Sequence, residues 1–318
     1  MEHVHIPVID MSAAKAKRAE TAARLGAALE SVGFVCLEKV PDFDSDELHR
    51  MTQWFFSLPL STKNKLATKR WNPASKNVYR GYFPSVRNEV SYKEGYEIGR
   101  ALSSCDSRDR QIALYEPNQW PEENSKDGVR FCDFMEKYHE TMSNCGMEVM
   151  RLIACSLGME NDTFDGLFMK KPLSTLRLLH YPPRDCEPIP QARDGHFTLH
   201  CSDHTDSGFV TLLSTFHYGG LQIRDEDDQW VNVEPRPNAL VMNIGDMLAR
   251  MTKGKYKATR HRVVDLGVDR FSVPFFFEPS FDAVIGEVDG EKVKYGPWLV
   301  KKMKEFAEYK DTDFGMVN

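Results

Sequence analysis

The chain is organised around the sequence His204-Thr205-Asp206 and around His261 further along. On an extended chain, side chains two residues apart point to the same side, so His204 and Asp206 can bind one ion together. His261 supplies a third side chain of a type that binds metals. Two imidazoles and one carboxylate on one face of a six-coordinate ion leave other positions open. This set favours non-haem Fe(II) over a closed structural zinc site.

The sequence between these three residues indicates how the chain brings them together. It is rich in β-branched and aromatic residues, and Gly, Asp and Pro interrupt it at short intervals. The predicted strands cover residues 209–216, 221–224, 230–233, 239–244 and 258–264. Strands at this spacing predict an antiparallel barrel or sandwich. Such a fold can place its first and last strands side by side.

A second pair of polar side chains follows His261 on the predicted strand 270–277. Arg270 and Ser272 share one face of that strand because side chains alternate. A guanidinium and a hydroxyl there can hold a carboxylate together, and arginine is suited to bidentate pairing. A dicarboxylate that chelates the metal through one end would be anchored here through its other end.

An ordered series of motifs runs through the second half of the chain. The motifs are His204-x-Asp206, Gly219-Gly220-Leu221-Gln222, Trp230-Val231, Pro237-Asn238-Ala239-Leu240-Val241, Asn243-Ile244-Gly245-Asp246, His261-Arg262 and Arg270-x-Ser272. This series resembles the signature of the Fe(II)/2-oxoglutarate-dependent dioxygenases. The resemblance is greatest to the branch of isopenicillin N synthase and the plant hormone and flavonoid oxygenases. It extends to Pro-Val-Ile-Asp at 7–10 and Gly-Phe-Val at 33–35.

The resemblance implies a fold class and an organisation of the chain. We expect a mainly β protein with flanking helices around a double-stranded β-helix, or jelly-roll, core. Residues 1–160 would form the helix-rich N-terminal region, and residues 161–318 would form the jelly-roll core with a C-terminal helix.

The same resemblance implies an oxidoreductase that uses Fe(II), 2-oxoglutarate and O2. Such an enzyme hydroxylates, desaturates or cyclises a small organic molecule and releases succinate and CO2, with ascorbate as a candidate reductant. The expected metal ligands are His204, Asp206 and His261, and no other catalytic residue is assigned. Arg270 and Ser272 would bind 2-oxoglutarate. Tyr181 resembles a family tyrosine that donates a hydrogen bond to this cosubstrate, although Leu179 stands where many plant members have Asn.

Two other functions stay open at this point. Isopenicillin N synthase and the ethylene-forming branch use the same iron without 2-oxoglutarate and also keep an Arg-x-Ser element. A non-catalytic binding protein on the same fold is the second alternative, although the complete set of ligands argues against it. Zinc-dependent hydrolysis is weaker, because nothing else in the sequence supplies an obvious general base.

Several other residues have possible roles in a pocket. Arg80 and Phe276 are candidates for its wall, since Phe276 shares the strand face of Arg270 and Ser272. The spacing of His196, His200 and His204 would line one face of a helix, but Gly195 and the poor helix formers around it argue against a helix. We therefore expect His196 and His200 at the surface or on a pocket wall. Asn243 and Asp246 are expected to form turns.

Composition restricts the partners and the location. Lys and Arg number 41 and Asp and Glu number 47, so the net charge of −6 offers no basic surface for nucleic acid or an anionic membrane. We expect a small-molecule substrate and a monomer. Seven cysteines without paired spacing indicate reduced thiols. With no signal-like start and no long apolar run, the predicted location is the cytoplasm.

Periodicity and end signals predict the helices. One helix is expected from Ser12 to near Gly33, a second over 44–57, and a long third over 129–157. A hairpin over 281–295 with Asp289-Gly290 at its turn precedes a last helix, which is expected from Pro297 to about Tyr309.

Overall fold

Two β-sheets and a layer of helices organise the protein. The structure is a computed structural model that describes residues 3–4, 6–101, 112–121, 126–288, 291–305, 309 and 312–315. In these ranges one sheet has six strands, another has eight, and a separate hairpin has two. The expected mainly β fold with flanking helices is therefore confirmed.

The strands are numbered in chain order. They are β1 (His3–Val4), β2 (Val8–Asp10), β3 (Phe34–Glu38), β4 (Gly81–Phe83), β5 (Glu94–Ile98), β6 (Thr175–Tyr181), β7 (Arg193–Asp194), β8 (Phe197–His204), β9 (Val210–Ser214), β10 (Leu221–Arg224), β11 (Trp230–Val233), β12 (Ala239–Ile244), β13 (His261–Val264), β14 (Arg270–Phe277), β15 (Val284–Val288) and β16 (Glu291–Lys294). The six-stranded sheet has the order β1-β11-β10-β13-β8-β7, and the eight-stranded sheet has the order β2-β3-β12-β9-β14-β6-β5-β4. The larger sheet draws strands from both halves of the chain.

The helices flank these sheets. They are α1 (Arg18–Ser31), α2 (Ser45–Ser57), α3 (Leu60–Lys65), α4 (Lys126–Ser156), α5 (Asp165–Phe168), α6 (Asp246–Met251) and α7 (Tyr295–Met303). Helix α4 presents a stripe of buried apolar residues at helical spacing and contacts both α1 and β14. Its burial confirms the predicted long helix behind the sheet.

The start of α1 differs from the prediction. Ser12 lies in a short 3-10 turn, where its backbone N–H and its hydroxyl both donate to the Asp10 carboxylate. The helix begins only at Arg18, so the expected capping role of Ser12 is wrong. The C-terminal signal is confirmed, because Gly33 adopts φ +73° and its N–H donates to the Ala28 carbonyl.

Other predicted elements agree more closely with the structure. Helix α2 has the Asp44 carboxylate as its cap, accepting from the Glu47 N–H at 2.9 Å. The last helix begins earlier and ends sooner than predicted, at Tyr295 and Met303. Strands β15 and β16 pair as the predicted hairpin, while the turn at Asp289-Gly290 lies outside the described residues.

Strand pairing positions the site. Strands β8 and β13 are neighbours, and their register sets His204 opposite His261. In the other sheet β14 lies between β6 and β9, which sets Arg270 opposite Tyr181 and Phe276 opposite Thr211. The first and last strands of the metal-binding stretch therefore lie side by side, as the sequence predicted.

Within the described ranges, no helix has both the length and the apolar character needed to cross a membrane. The six cysteines in those same ranges are all free thiols, which agrees with the expectation from their spacing.

The packing of α4 on β14 gives a test of the fold. A Cβ at Gly146 would lie 2.5 Å from the Phe277 ring, whereas a Cβ at the helical Gly166 would meet nothing within 4 Å. We expect Gly146→Ala to lower the free energy of unfolding by about 1–3 kcal/mol through overpacking. Gly166→Ala should leave it unchanged or raise it slightly. Urea denaturation of both variants checks this, and equal stabilities would contradict the described packing.

Candidate metal and cosubstrate site

Three side chains converge where β8 meets β13. One ligand atom from each of His204, Asp206 and His261 lies within 4.8 Å of the others. The Nε2 atoms of His204 and His261 lie 3.8 and 3.7 Å from the Asp206 Oδ1 atom. The described part of the chain offers this one group of three potential metal ligands.

Hydrogen bonds occupy the Nδ1 atom of each imidazole and leave its Nε2 atom available to a metal. His204 Nδ1 lies 2.8 Å from the Ser202 carbonyl, and His261 Nδ1 lies 3.1 Å from the Thr259 carbonyl. A carbonyl only accepts, so each Nδ1 must carry the proton and donate it. Each Nε2 is therefore the atom left for a metal to bind, and both lie close to Asp206 Oδ1, which is the arrangement of metal-binding histidines.

The carboxylate of Asp206 is oriented by two donors. Thr211 Oγ1 donates to Asp206 Oδ2 at 2.5 Å, and Asn243 Nδ2 donates to the same oxygen at 2.8 Å. These donors and the two histidines outweigh the effect of burial and lower the pKa of Asp206. Oδ1 stays available to a metal. The expectation that Asn243 forms a turn is wrong, because it lies in β12 and holds the carboxylate.

The two histidines differ in their protonation. Burial and the neighbouring His204 lower the pKa of His261, so its imidazole is neutral near pH 7. Burial also opposes the charged form of His204, but Cys201 and Asp206 outweigh it and raise the pKa of His204 to about 9. A metal ion must displace the proton of His204, so metal affinity increases with pH. Once His204 has lost its proton, two neutral imidazoles and one carboxylate fit a divalent ion with open positions.

The predicted anchor for a carboxylate is a buried cluster on β14 and β6. Arg270 is 2% exposed, and its guanidinium carbon lies 4.8 Å from the centre of the Tyr181 ring. Arg270 Nε donates to the Gly219 carbonyl, while its Nη1 has no hydrogen-bond partner. Ser272 is buried on the same strand, opposite Leu179. A buried guanidinium with a free N–H is suited to receive a carboxylate.

The two additional histidines have separate environments. His196 is exposed, as the sequence predicted for a residue outside the metal set. His200 is buried, and its ring stacks on Tyr181 with centroids 5.2 Å apart. Its Nε2 lies 3.1 Å from Asp265 Oδ2. His200 therefore stacks on Tyr181 from the other sheet and takes no part in the group of metal ligands.

A cavity of about 580 Å³ opens beside the three metal-ligand candidates. His204, Asp206 and Phe276 line it, so the expected wall position of Phe276 agrees with the structure. Arg80 lies behind the wall, where its guanidinium donates to Thr175 Oγ1 at 2.8 Å. This volume lies in the range that small-molecule sites occupy.

Two segments of the chain match known families. Residues 172–279 match the 2OG-Fe(II) oxygenase superfamily, and residues 6–123 match the N-terminal domain described as non-haem dioxygenase in morphine synthesis. The first match covers His204, Asp206, His261, Arg270 and Ser272.

Individual proteins extend this similarity. A 2-oxoglutarate-dependent dioxygenase of Monascus ruber is 32% identical over 242 residues, covering 74% of this chain and 70% of its own. A homoarginine-6-hydroxylase of Arabidopsis thaliana is 29% identical over 331 residues, covering 94% and 88%. A full-length protein of Neurospora crassa, solved in complex with alpha-KG (2-oxoglutarate), superimposes with a TM-score of 0.79 at 28% identity, covering 94% of this chain and 96% of its own.

The fold and the site define a non-haem oxygenase with a jelly-roll core. The chain belongs to the 2OG-Fe(II) oxygenase superfamily. It is a 2-oxoglutarate-dependent oxygenase that uses Fe(II) and O2, as the resemblance implied. An oxidase without 2-oxoglutarate and a non-catalytic binding protein are not favoured.

Removal of one ligand candidate tests the metal site. His261→Ala should reduce Fe(II) or Mn(II) affinity by more than the ~10- to 100-fold that loss of a supporting hydrogen bond causes. Isothermal titration under anaerobic conditions measures this. His196→Ala, which removes an exposed histidine, should bind metal as the unaltered protein does. Equal losses in both variants would contradict the assignment.

The donor to Asp206 gives a separate test. Thr211→Val keeps the shape of the side chain but removes the hydroxyl that donates to Asp206 Oδ2. We expect a ~10- to 100-fold lower metal affinity, because the carboxylate loses part of its orientation. Thr215→Val, at another buried threonine, is the matched control. Unchanged metal affinity in Thr211→Val would show that Asn243 alone suffices.

Proposed function

We propose that His204, Asp206 and His261 hold the Fe(II) of this oxygenase, and that Arg270, Ser272 and Tyr181 hold its 2-oxoglutarate. The observation that carries the proposal is the convergence of the His204 and His261 Nε2 atoms on Asp206 Oδ1. Each Nδ1 is committed to a backbone carbonyl, so neither imidazole needs to reorient to bind the ion. The substrate is a small molecule that occupies the adjoining cavity.

Each part of the site has a distinct task. Arg270 offers its unpartnered Nη1 to the distal carboxylate of 2-oxoglutarate, and Ser272 lies two residues along on the same face. Tyr181 packs against the Arg270 guanidinium and stacks with the His200 ring. The keto acid end of the cosubstrate then extends toward the metal ligands.

Bound Fe(II) supplies the oxidation of 2-oxoglutarate by O2 to succinate and CO2, with the second oxygen atom going to the substrate as a hydroxyl group. The chain supplies geometry and a restricted space for this reaction. Phe276 and Thr175 line the cavity beside the metal ligands and limit how the substrate is oriented. Hydroxylation is the proposed outcome, and desaturation or cyclisation would need the same residues.

Two relatives illustrate the chemistry that such a cavity accepts. The Neurospora crassa protein has been solved with alpha-KG and thymine, and the Arabidopsis relative is a homoarginine-6-hydroxylase. Thymine is neutral, whereas homoarginine carries a guanidinium. Both are small and polar, which supports a small-molecule substrate for this cavity of about 580 Å³.

We also propose the organisation and setting of the protein. Residues 1–160 act as the helix-rich N-terminal region, and residues 161–318 act as the jelly-roll core with its C-terminal helix. The net charge of −6 supports a protein that does not bind nucleic acid. We propose a monomer in the cytoplasm, which size-exclusion chromatography and fractionation would test.

The proposed cosubstrate anchor is tested with two keto acids. Arg270→Leu should raise the KM for 2-oxoglutarate by about 100-fold or more, because it removes one partner of a buried charge pair. Turnover with 2-oxovalerate, which lacks the distal carboxylate, should change little. Substrate-independent succinate release and O2 consumption are the measurements for 2-oxoglutarate, and O2 consumption serves for 2-oxovalerate.

The controls separate this role from a general loss of structure. Arg236→Ala removes a surface arginine that pairs with Glu38 and should leave both keto acids unaffected. His204→Ala should abolish succinate release. An equal loss with both keto acids in Arg270→Leu would contradict the assignment of Arg270 to the distal carboxylate. Absence of 2-oxoglutarate-dependent succinate in the unaltered protein would contradict the function itself.

A further inference from the structure

One acidic side chain on the cavity wall is not used by the reaction described above. Glu278 follows Phe276 by two residues, so it faces the same side of the extended chain. It lines the cavity and is 8% exposed. Its carboxyl group lies beside the loop after Asp206, because a Cβ at Gly208 would be 2.8 Å from Glu278 Oε1.

Glu278 lacks a countercharge. Among the residues that the structure describes, no lysine or arginine lies within ion-pair distance of its carboxylate. Two arginines, Arg177 and Arg80, act on the pKa of Glu278 through space and lower it. Both make their direct contacts elsewhere, since Arg177 pairs with Glu97 at 2.7 Å and Arg80 donates to Thr175. Burial raises the pKa of Glu278 to about 8, and the neighbouring Tyr295 hydroxyl offsets only part of this. The carboxyl group is therefore largely protonated near pH 7 in the free protein, and a cation that enters the cavity beside it would favour its ionised form.

The other charged groups on the wall do not supply that cation. Lys93 and Arg177 both have partners of their own. Among the acids, Asp203 pairs with Arg260, while Glu305 is exposed. The wall therefore presents a buried acid without a basic partner, next to the ligands of the metal. A ligand with a positive group would satisfy it.

We propose that Glu278 determines substrate specificity and that the substrate carries a cationic nitrogen group, either an ammonium, an amidinium or a guanidinium. Glu278 pairs with this group, and the carbon to be oxidised extends toward His204, Asp206 and His261. The inference rests on the proposed function and specifies its substrate class. It favours the guanidinium chemistry of the Arabidopsis relative over the neutral ring bound by the Neurospora crassa protein.

A matched pair of probes tests the charge requirement. Butylguanidine carries a guanidinium, and butylurea has a neutral urea group of nearly the same shape and no other charge. Binding is measured by calorimetry on full-length protein loaded with Mn(II) and 2-oxoglutarate. The unaltered protein should bind butylguanidine about 10- to 100-fold more tightly than butylurea, as expected for loss of a charge-assisted hydrogen bond. Butylamine against the neutral butanol extends the comparison to an ammonium group.

Substitution of Glu278 tests whether that residue is responsible for the preference for a cationic ligand. Glu278→Gln keeps the shape but removes the negative charge, so the preference for the cationic member of each pair should disappear. Glu305→Gln alters an exposed acid that also lines the cavity and should keep the preference within about 2-fold. Thermal unfolding of both variants confirms that each is folded.

Two results would overturn the inference. One is an unaltered protein that binds no cationic probe better than its neutral counterpart, and the other is a Glu278→Gln variant that keeps the preference. Succinate release from 2-oxoglutarate without substrate distinguishes this failure from failure of the proposed function. If succinate still forms while the cationic preference is absent, the oxygenase assignment stands and the substrate class is wrong. If succinate does not form, the proposed function fails and the inference fails with it.

Discussion

The hydrogen-bonded pairing of β8 with β13 is the constraint on which the site depends. It sets His204 directly opposite His261, although the two residues are far apart in the sequence. The backbone between them forms β9 to β12 and α6. Backbone carbonyls close to each histidine then fix the tautomers. The same strands that close the fold therefore also prepare the metal ligands, so site and fold cannot vary independently.

Burial of polar groups is the cost of this arrangement. Asp206 is compensated by Thr211 and Asn243, which satisfy one of its oxygens and leave the other to a metal. Arg270 is only partly compensated, since one N–H of its buried guanidinium has no partner. Glu278 has no countercharge among the described residues. Buried groups left unsatisfied are unfavourable in the free protein and gain interactions when a ligand arrives. We therefore assign a carboxylate ligand to the free N–H of Arg270 and a cationic ligand to the carboxyl group of Glu278.

Supporting layers keep these groups in place. Helix α4 packs its apolar face on β14, the strand that carries Arg270, Ser272 and Phe276. The approach is close enough that Gly146 has no room for a side chain beside the Phe277 ring. The His200 ring, from the six-stranded sheet, stacks on Tyr181 beside Arg270. Rigid packing of this kind limits the movement of the residues that face the cavity, because protein interiors have little free volume.

The ligand types, the strand alternation and most element positions could be predicted from the sequence, because they depend on local periodicity and on residue chemistry. It placed His204 and Asp206 on one side of the chain and Arg270 with Ser272 on one face. It could not identify Thr211 and Asn243 as partners of Asp206 or Glu278 as an acid without a countercharge. The start of α1 was mispredicted because Ser12 bonds to Asp10 in a local turn. The partners and the burial of these residues come from strands that are distant in the chain, so they became visible only in the folded protein.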